Sequence, residues 1–263
     1  MWEMYDDLIE AIPENLTVLE CLLGVSWTLV RSERGLGMAK TVKGGKKGAN
    51  LANTTGMPLK KLACFSKSWD MLEASLGQAA INAAFNNPAE VMALTGKPID
   101  PSCAPEESNA FKQLIPEITG KKVAVIGHFP NVVQLRKICE LSVLERKPQA
   151  DDYPDSACEY ILPGQDFVFI TGTAFTNKTM PRLLELSKNS KIILVGPSVP
   201  ISRVLFNYGV DRLASLVILD QQLIWKAVQA GEKMNIFKHG GQMVCVQGSP
   251  SCPGREDVRA AWD

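Results

Sequence analysis

DFVFITGTAFTNKTMPRLLEL, residues 166 to 186, is the most informative stretch of this chain. It opens with the apolar run 167–170, which predicts a strand buried on both faces. The run ends at Thr171-Gly172-Thr173, and a helix is predicted to begin near Asn177 or Thr179. In an open parallel sheet such a loop lies at the carboxyl edge, where small ligands bind. Its N–H groups and hydroxyls could hold an anion or a polar substrate, although an ordinary strand-to-helix turn explains the same pattern.

The composition is that of an ordinary globular protein, with 46% hydrophobic and 21% charged residues in a chain of 263. Lys+Arg 28 against Asp+Glu 28 gives no net charge, which argues against nucleic acid as a partner. No apolar run reaches the roughly 20 residues of a membrane helix, so we expect no membrane partner. The acidic, amphipathic N-terminus is unlike a signal peptide and predicts a cytoplasmic location. The 7 cysteines form no C-x-x-C pair, so neither a disulfide framework nor a zinc finger is indicated.

After Gly120 short apolar strands alternate with helices. Strands are predicted at 121–127, 140–146, 167–170, 191–196, 213–220 and 242–247, and helices at 132–139, 156–162, 177–186, 201–209 and 221–231. This alternation predicts a parallel, doubly wound sheet, a Rossmann-like domain over residues 121–247. The Gly/Pro-rich tail 248–263 is predicted to be disordered.

The first half of the chain reads as a small α+β domain, residues 1–87. It is predicted to contain a helix at 2–12, a β-hairpin made of the runs 17–30 and 37–44, a long loop at 44–56, and helices starting near 58 and at 69–86. The proline-rich residues 88–120 are interpreted as a linker, with a packed helix at 109–118 left open.

Polar or glycine residues follow each predicted parallel strand, and a crevice at this edge of the sheet would bring them together. In chain order they are His128, Glu145, Thr171-Gly172-Thr173, Gly196-Pro197-Ser198 and Asp220. The alternative is that strands simply end in turn residues. Because the set is long, we favour a ligand crevice.

His128 directly follows a strand, which suits a general base or a metal ligand as well as a structural turn residue. Glu145 lies about as far along the chain as the ribose-binding acid of dinucleotide-binding proteins. The glycine loop of those proteins is missing, however, and Phe129 and Pro130 would obstruct a pyrophosphate. A standard NAD site is therefore disfavoured. Glu145 is either a metal or substrate ligand or the partner of an Arg or Lys.

The first half offers two further candidates. The segment from Arg34 to Lys67, which includes Lys46, has no acidic residue, so its field suits an anionic ligand, although a solvated lysine face explains it too. Asn82 and Asn86 share one helix face and predict a polar stripe lining a cleft, with helix fraying as the alternative for Asn86.

Four strings of sequence, in this order, resemble a known family. They are SLGQAAINAAFN (75–86), VAVIGHFP (123–130), ITGTAFTNKTM (170–180) and LVGPSVP (194–200). The chain is similar over residues 5–247 to the "putative heavy-metal chelation" family, whose function is unknown. The resemblance implies an enolase-N-terminal-like domain joined to a Rossmann-like domain, with an active-site cleft between them. It implies metal binding, with Asn82, His128, Thr171, Thr173, Asn177, Gly196 and Ser198 as cleft residues.

Our leading hypothesis is an α/β protein that binds a metal ion, a metal chelate or an anionic small molecule in the interdomain cleft. His128 and Glu145 would be ligands of a divalent metal, of unknown identity, or an acid–base pair. The loops 171–173 and 196–198 would supply N–H donors, and the loop bearing Lys46 would close over the ligand. The alternatives are a transferase or lyase using a nucleotide-like cofactor such as S-adenosylmethionine, and a non-catalytic metal-responsive binding protein. Enzymatic activity and a homodimer are left open.

Overall fold

A computed structural model of the chain describes residues 2–48, 53–102, 109–130, 132–149, 151–233 and 240–248. Part of the predicted long loop, 49–52, and the tail after Gly248 lie outside the described residues. The α-helices are α1 Glu3–Glu10, α2 Leu59–Ala63, α3 Met71–Phe85, α4 Pro88–Thr95, α5 Ala110–Gln113, α6 Ile115–Ile118, α7 Cys158–Ile161, α8 Thr173–Thr176, α9 Met180–Leu186 and α10 Gln221–Gln229. The strands are β1 Glu20–Leu23, β2 Trp27–Arg31, β3 Leu36–Lys40, β4 Lys122–Ile126, β5 Glu140–Glu145, β6 Tyr153–Pro154, β7 Phe167–Thr171, β8 Lys191–Val195, β9 Arg212–Ile218 and β10 Gly241–Gln247.

The second half forms a seven-stranded sheet in the order β10-β9-β8-β7-β4-β5-β6. Neighbouring strands are parallel except β10, which pairs antiparallel with β9. Read from β6, the six parallel strands follow the order third, second, first, fourth, fifth, sixth, which is the strand order of a Rossmann fold. The predicted α/β class with a Rossmann-like sheet is confirmed.

The central strand β7 shows why this sheet is covered on both sides. Val168 and Ile170 pack into one hydrophobic cluster, while Phe167 and Phe169 pack into another on the opposite face. Because successive side chains of a strand point to opposite faces, an unbroken apolar run requires packing on both. Phe169 also stacks on Phe111 of α5, with ring centroids 4.7 Å apart.

The first half forms an antiparallel sheet in the order β1-β2-β3. The predicted hairpin is present as β2 and β3, but the run 17–30 is not one strand, so that part of the prediction is wrong. The chain turns between β1 and β2, where the N–H of Gly24 donates to the carbonyl of Trp27 at 3.0 Å. The run hides this turn because it contains only one glycine among apolar residues.

Helix α3 lies at the centre of the molecule, and nearly all of its residues are buried. Its N-cap residue is Asp70, whose carboxylate accepts hydrogen bonds from the backbone N–H groups of Leu72 and Glu73. Gly37 of β3 permits close packing against it, since a Cβ atom there would sit 2.1 Å from the carbonyl oxygen of Ala79. The core around α3 continues into one face of the large sheet, so both halves share it.

A polar stripe on α3, made of Gln78, Asn82 and Asn86, joins it to the loop after β8. The Gln78 amide donates to the carbonyl of Ser198 at 3.0 Å. The Asn82 amide donates to the carbonyls of Met38 at 2.7 Å and Pro197 at 3.1 Å. These three side chains lie one turn apart on the same face of α3. They fix the first half onto the sheet edge.

Asn86 makes the densest set of these contacts. Its side-chain nitrogen donates to the Val199 carbonyl at 2.9 Å and to the Ser215 hydroxyl at 3.0 Å. Its side-chain oxygen accepts from the N–H of Ile201 at 2.8 Å. The alternative of fraying at Asn86 is therefore wrong, because the side chain is buried and satisfied on both sides.

Other differences from the sequence-based expectations are local. Residues 88–120 contain α4, α5 and α6, and the 109–118 helix left open is present as two short helices that bury Ala110, Leu114 and Ile118. The predicted helices at 132–139 and 201–209 are 3-10 helices, Val132–Lys137 and Arg203–Tyr208. None of the helices in the described ranges is both long and apolar enough to cross a bilayer.

Replacing Asn86 by alanine tests the role of the polar stripe. We expect Asn86→Ala to lower the free energy of unfolding by about 3 kcal/mol, because it leaves buried donors and acceptors without partners. Urea denaturation followed by circular dichroism measures the change. Asn207→Ala, at an exposed position, is the matched control and should change stability little. Equal effects of the two substitutions would contradict a structural role for the stripe.

Candidate functional site

A cavity of about 960 Å³ opens at the carboxyl ends of β4, β5, β7 and β8, against β2 and β3 of the small sheet. The two strands that follow β4 in the chain, β5 and β6, lie on one side of it in the sheet. The strands from β7 onwards lie on its other side, so the strand order reverses between β4 and β7. Ligands of open α/β sheets bind in the crevice at such a reversal. Of the predicted site residues, the cavity is lined by His128, Glu145, Thr171, Gly172, Thr173, Asn177, Gly196, Pro197 and Ser198.

Three predicted site residues lie outside this lining. Asn82 is fully buried, and its amide is engaged by the carbonyls of Met38 and Pro197. Lys46 is exposed on its loop, where its backbone N–H donates to Trp69. Asp220 caps α10 through the N–H of Leu223 at 2.9 Å. Asn82 and Asp220 therefore have structural roles at their observed places, while the Lys46 side chain lies on an exposed loop.

The two glycine-containing loops were expected to offer backbone N–H donors. The N–H of Gly172 donates to Val195 at 2.9 Å, and that of Gly196 donates to Ala214 at 2.9 Å. Both groups thus extend the sheet and are not available to a ligand. A short helix that was not predicted, α8, begins directly at Thr173, and the helix predicted to begin near Asn177 or Thr179 is present as α9. The Thr171 and Thr173 hydroxyls, 3.3 Å apart, are the polar groups that this loop presents to the cavity.

His128 is paired with a carboxylate that the sequence did not assign to it. Its Nδ1 lies 3.4 Å from Oδ2 of Asp152, whose side chain is only 4% exposed. Asp152 is held in turn by the backbone N–H of Gln149 at 3.0 Å. A carboxylate at Nδ1 orients an imidazole and leaves Nε2 to face a ligand.

The acidic side chains of the cavity are mostly neutralised by arginines. Arg182 pairs with Glu159, and the Arg146 guanidinium lies 3.4 Å from Asp155. Glu145 ends β5 and accepts the backbone N–H of Arg146 at 2.9 Å. No side-chain cation among the described residues is within ion-pair distance of it. The partnership of Glu145 with an Arg or Lys side chain, one of the two alternatives, is therefore not seen.

Two lysines form a positive pole on the opposite wall. Lys40 and Trp27 are cross-strand partners, and the Lys40 ammonium lies 4.9 Å from the centre of the indole ring. The Trp27 indole N–H donates to the carbonyl of Lys233 at 2.9 Å, which places this second lysine beside the first. Burial and the charge of Lys233 both lower the pKa of Lys40. Within the described part of the chain, neither ammonium has a carboxylate at ion-pair distance.

Lys178 is a third lysine of the cavity lining. It is only 9% exposed, and its ammonium donates to the Thr176 carbonyl at 2.8 Å. Burial lowers its pKa to about 8, and the nearby Asp70 opposes this shift only in part. The three cavity lysines therefore differ in environment, and Lys178 is the most desolvated.

Among the described residues, the donor set of the cavity does not fit a directly bound metal ion. In the described residues, no three His, Cys, Asp or Glu side chains lie together as a metal would require. Burial raises the pKa of the Cys158 thiol to about 11, so it is protonated at neutral pH. The unpaired lysines would also repel a cation. His128 and Glu145 as metal ligands remain a prediction.

Phe129 shapes the crevice where a Rossmann fold would hold a nucleotide. Its ring atoms lie 3.5 Å and 3.9 Å from the points where Cβ atoms would stand at Gly127 and Gly196. The ring therefore covers the edge of the sheet between β4 and β8, and it packs on Phe111 with centroids 5.3 Å apart. This arrangement does not favour the nucleotide-cofactor alternative.

Lys40 belongs to the basic segment from Arg34 to Lys67, but its pairing with Lys233 escaped sequence reasoning because the two residues are far apart in the chain. Lys40 and Lys233 meet only through Trp27, and neither belongs to a recognisable motif. A signal for Lys178 was present, since it stands in the string ITGTAFTNKTM beside Asn177. Asp152 stands in an acidic turn with Asp151 and Asp155, and no local sequence pattern indicates that it pairs with His128.

The fold and the cavity define an α/β protein with a Rossmann-like sheet and a ligand-sized cleft under a smaller antiparallel sheet. Two family models match it, DUF364 over residues 109–247 and DUF4213 over residues 5–85, both described as "Putative heavy-metal chelation". The chain belongs to the DUF364 family.

Relatives of known sequence or structure agree with this assignment. An uncharacterized protein of Methanocaldococcus jannaschii is 33% identical over 230 residues, which cover 81% of this chain and 78% of that protein. A crystal structure of a DUF364 protein of unknown function from Desulfitobacterium hafniense is 39% identical, with a TM-score of 0.86 over 94% of this chain and 98% of the other. Another from Pyrococcus horikoshii is 25% identical, with a TM-score of 0.73 over 93% and 98%.

Gly172 is required by the close approach of the loops after β7 and β8. A Cβ atom there would stand 2.6 Å from the nitrogen of Val199 and 2.7 Å from the carbonyl carbon of Ser198. We expect Gly172→Ala to destabilise the protein by about 1–3 kcal/mol, because backbone must move to admit the methyl group. Thermal or urea unfolding measures this. Gly164→Ala, where a Cβ would meet nothing within 4 Å, is the control. A stable Gly172→Ala protein would mean that the two loops can separate freely.

Proposed function

We propose that the cavity binds an anionic small molecule, namely a carboxylate-bearing chelator, together with the metal ion that it carries. In this proposal the metal is cargo held by the ligand. The observation that carries the proposal is the positive pole, in which Lys40 and Lys233 face the cavity without a carboxylate partner among the described residues. Lys40 is half-buried and Lys233 is exposed, so the Lys40 ammonium attracts an anion more strongly, since fewer water molecules screen it.

The family description and the geometry are compatible under this proposal. A bare metal ion needs converging oxygen, nitrogen or sulfur ligands, and the described residues offer no such group. A chelator supplies those ligands itself and leaves outer carboxylate oxygens to be bound by lysines. The His128 imidazole, oriented by Asp152, could donate to a further oxygen of the same ligand.

The size and polarity of the cavity suit such a ligand. Small-molecule sites commonly enclose about 300–1,000 Å³, and this cavity of about 960 Å³ lies within that range. Its walls include Ile126, Leu144 and Leu183 beside the Thr171 and Thr173 hydroxyls. A mostly apolar wall with a few polar groups can orient an organic anion while keeping water out.

Removing the positive charges one at a time tests the proposal. Calorimetric titration with citrate, and with its cobalt complex, should show binding to the wild-type protein at low ionic strength. We expect Lys40→Met and Lys233→Met each to weaken binding by about tenfold or more, because a charge-assisted hydrogen bond contributes about 1.5–3 kcal/mol. Affinity should also fall as the pH is raised towards the lowered pKa of Lys40, since the neutral amine attracts no anion.

Lys61→Met is the matched control, because Lys61 is exposed and lies outside the cavity lining. It should bind citrate like the wild type. The proposal is overturned if the protein binds free cobalt stoichiometrically, loses it in His128→Ala, and shows no interaction with citrate. That result would support the directly coordinated metal that His128 and Glu145 were predicted to hold.

A further inference from the structure

Lys178 holds a backbone conformation that is unusual for a lysine. Its φ is 66°, in the left-handed region that favours glycine. The Asn177 side-chain oxygen maintains this turn by accepting from the N–H of Thr179 at 3.1 Å and its hydroxyl at 2.7 Å. Strained backbone of this kind persists where the surroundings enforce it, and such residues cluster at functional sites. The turn places a lysine in the cavity wall between α8 and α9.

The surroundings of Lys178 leave its amino group incompletely paired. Among the described residues, Nζ donates to one carbonyl, that of Thr176, and lies 5.8 Å from the ring centre of Trp69. An ammonium group has three protons to donate. In the described residues no carboxylate reaches ion-pair distance of it. Asp70, at the N-terminus of α3, is the charged group that acts on it, and it favours the ammonium form.

The amine form of Lys178 is accessible under mild conditions. Burial outweighs the influence of Asp70 and lowers its pKa to about 8. Desolvated lysines of lowered pKa are the ones that act as nucleophiles towards carbonyl compounds. An exposed lysine, by comparison, has a pKa of about 10.4 and stays protonated at that mild pH.

We infer that Lys178 is a nucleophile that forms an imine with the carbonyl group of an anionic aldehyde or keto acid bound in the cavity. The inference rests on the proposed function, since the positive pole of Lys40 and Lys233 would hold the carboxylate of that molecule. Thr171 and Thr173 line the same cavity, and the Thr171 hydroxyl donates to the Thr173 hydroxyl, which can in turn donate to the carbonyl oxygen. The substrate class is thus narrowed from organic anions to those that carry a reactive carbonyl.

The step is a condensation without oxidation or reduction. The lone pair of the neutral Nζ forms a bond to the carbonyl carbon, and the carbonyl π-electrons move to oxygen. The oxygen then takes up two protons in all, the two that nitrogen loses, and leaves as water. The resulting imine, once protonated, withdraws electrons from the adjacent carbon, which eases loss of a proton or of a carboxylate group from that carbon.

Reductive trapping tests the inference on the full-length protein. The protein is incubated with glyoxylate and cyanoborohydride, digested, and analysed by peptide mass spectrometry. We expect carboxymethylation of Lys178 at least about tenfold faster than that of the exposed Lys61. The labelling rate at Lys178 should be below its maximum at neutral pH, rise with pH, and level off above about pH 8. The labelling rate at Lys61 should continue to rise above that pH. Citrate should slow the reaction at Lys178 and leave that at Lys61 unchanged.

Variants keep the test independent of folding problems. Lys178→Arg retains the charge but cannot form the imine, so it should lose the rapidly labelled site, and its melting temperature reports whether it folds like the wild type. The inference is overturned if wild-type Lys178 is labelled no faster than Lys61. Should citrate bind while Lys178 stays unlabelled, anion binding stands and the imine is excluded. If Lys178 is labelled rapidly in a protein that does not bind citrate, the inference that Lys178 is a nucleophile stands and the proposed chelate site is excluded.

Discussion

The buried amides of α3 are the constraint on which the structure depends. A helix enclosed on nearly every side can carry Gln78, Asn82 and Asn86 only if most of their polar atoms find partners, because an unpaired buried polar group costs roughly as much as a lost hydrogen bond or more. Their side-chain nitrogens all donate to carbonyl groups, while the side-chain oxygen of Gln78 has no partner among the described residues. Their partners come mainly from the loop after β8. Hydrophobic contact alone would let α3 slide over the sheet, whereas these directional bonds admit one position. These hydrogen bonds thereby fix the position of the first half on the edge of the sheet.

The geometry of the site follows from this fixed position of the first half. The loop that receives the α3 amides also receives the backbone N–H of Lys40, which donates to the Ser198 hydroxyl at 2.8 Å. The end of β3 is therefore tied to the carboxyl end of β8, and its cross-strand partner Trp27 comes with it. Through the indole N–H this arrangement also places Lys233. The charged wall of the cavity is a consequence of packing in the first half, although it acts at the edge of the second.

Sequence reasoning located the edge of the sheet because local rules suffice there. An apolar run such as 167–170 followed by Thr171 and Gly172 has few structural interpretations other than a buried strand and its turn. The opposite wall depends on which distant residues face that edge, and no periodicity records this. Asn82 shows the limit well, because its helix face was predicted correctly while its partners in the fold were not foreseen. The turn within 17–30 was missed for a local reason, since apolar residues flank Gly24 on both sides.

Lys178 links the stability of the fold to the chemistry proposed for the cavity. A left-handed lysine with a desolvated amino group is unfavourable twice over, once for backbone strain and once for burial of a charge. Glycine or asparagine would adopt the same turn with less strain, and an apolar side chain would fill the same space without the desolvation of a charge. The amino group donates to the Thr176 carbonyl and lies near the Trp69 ring, but the hydrogen bond uses one of its three protons. A structural role therefore explains the turn and one hydrogen bond, whereas a nucleophile needs both the burial that releases its proton and the rigid backbone that positions it.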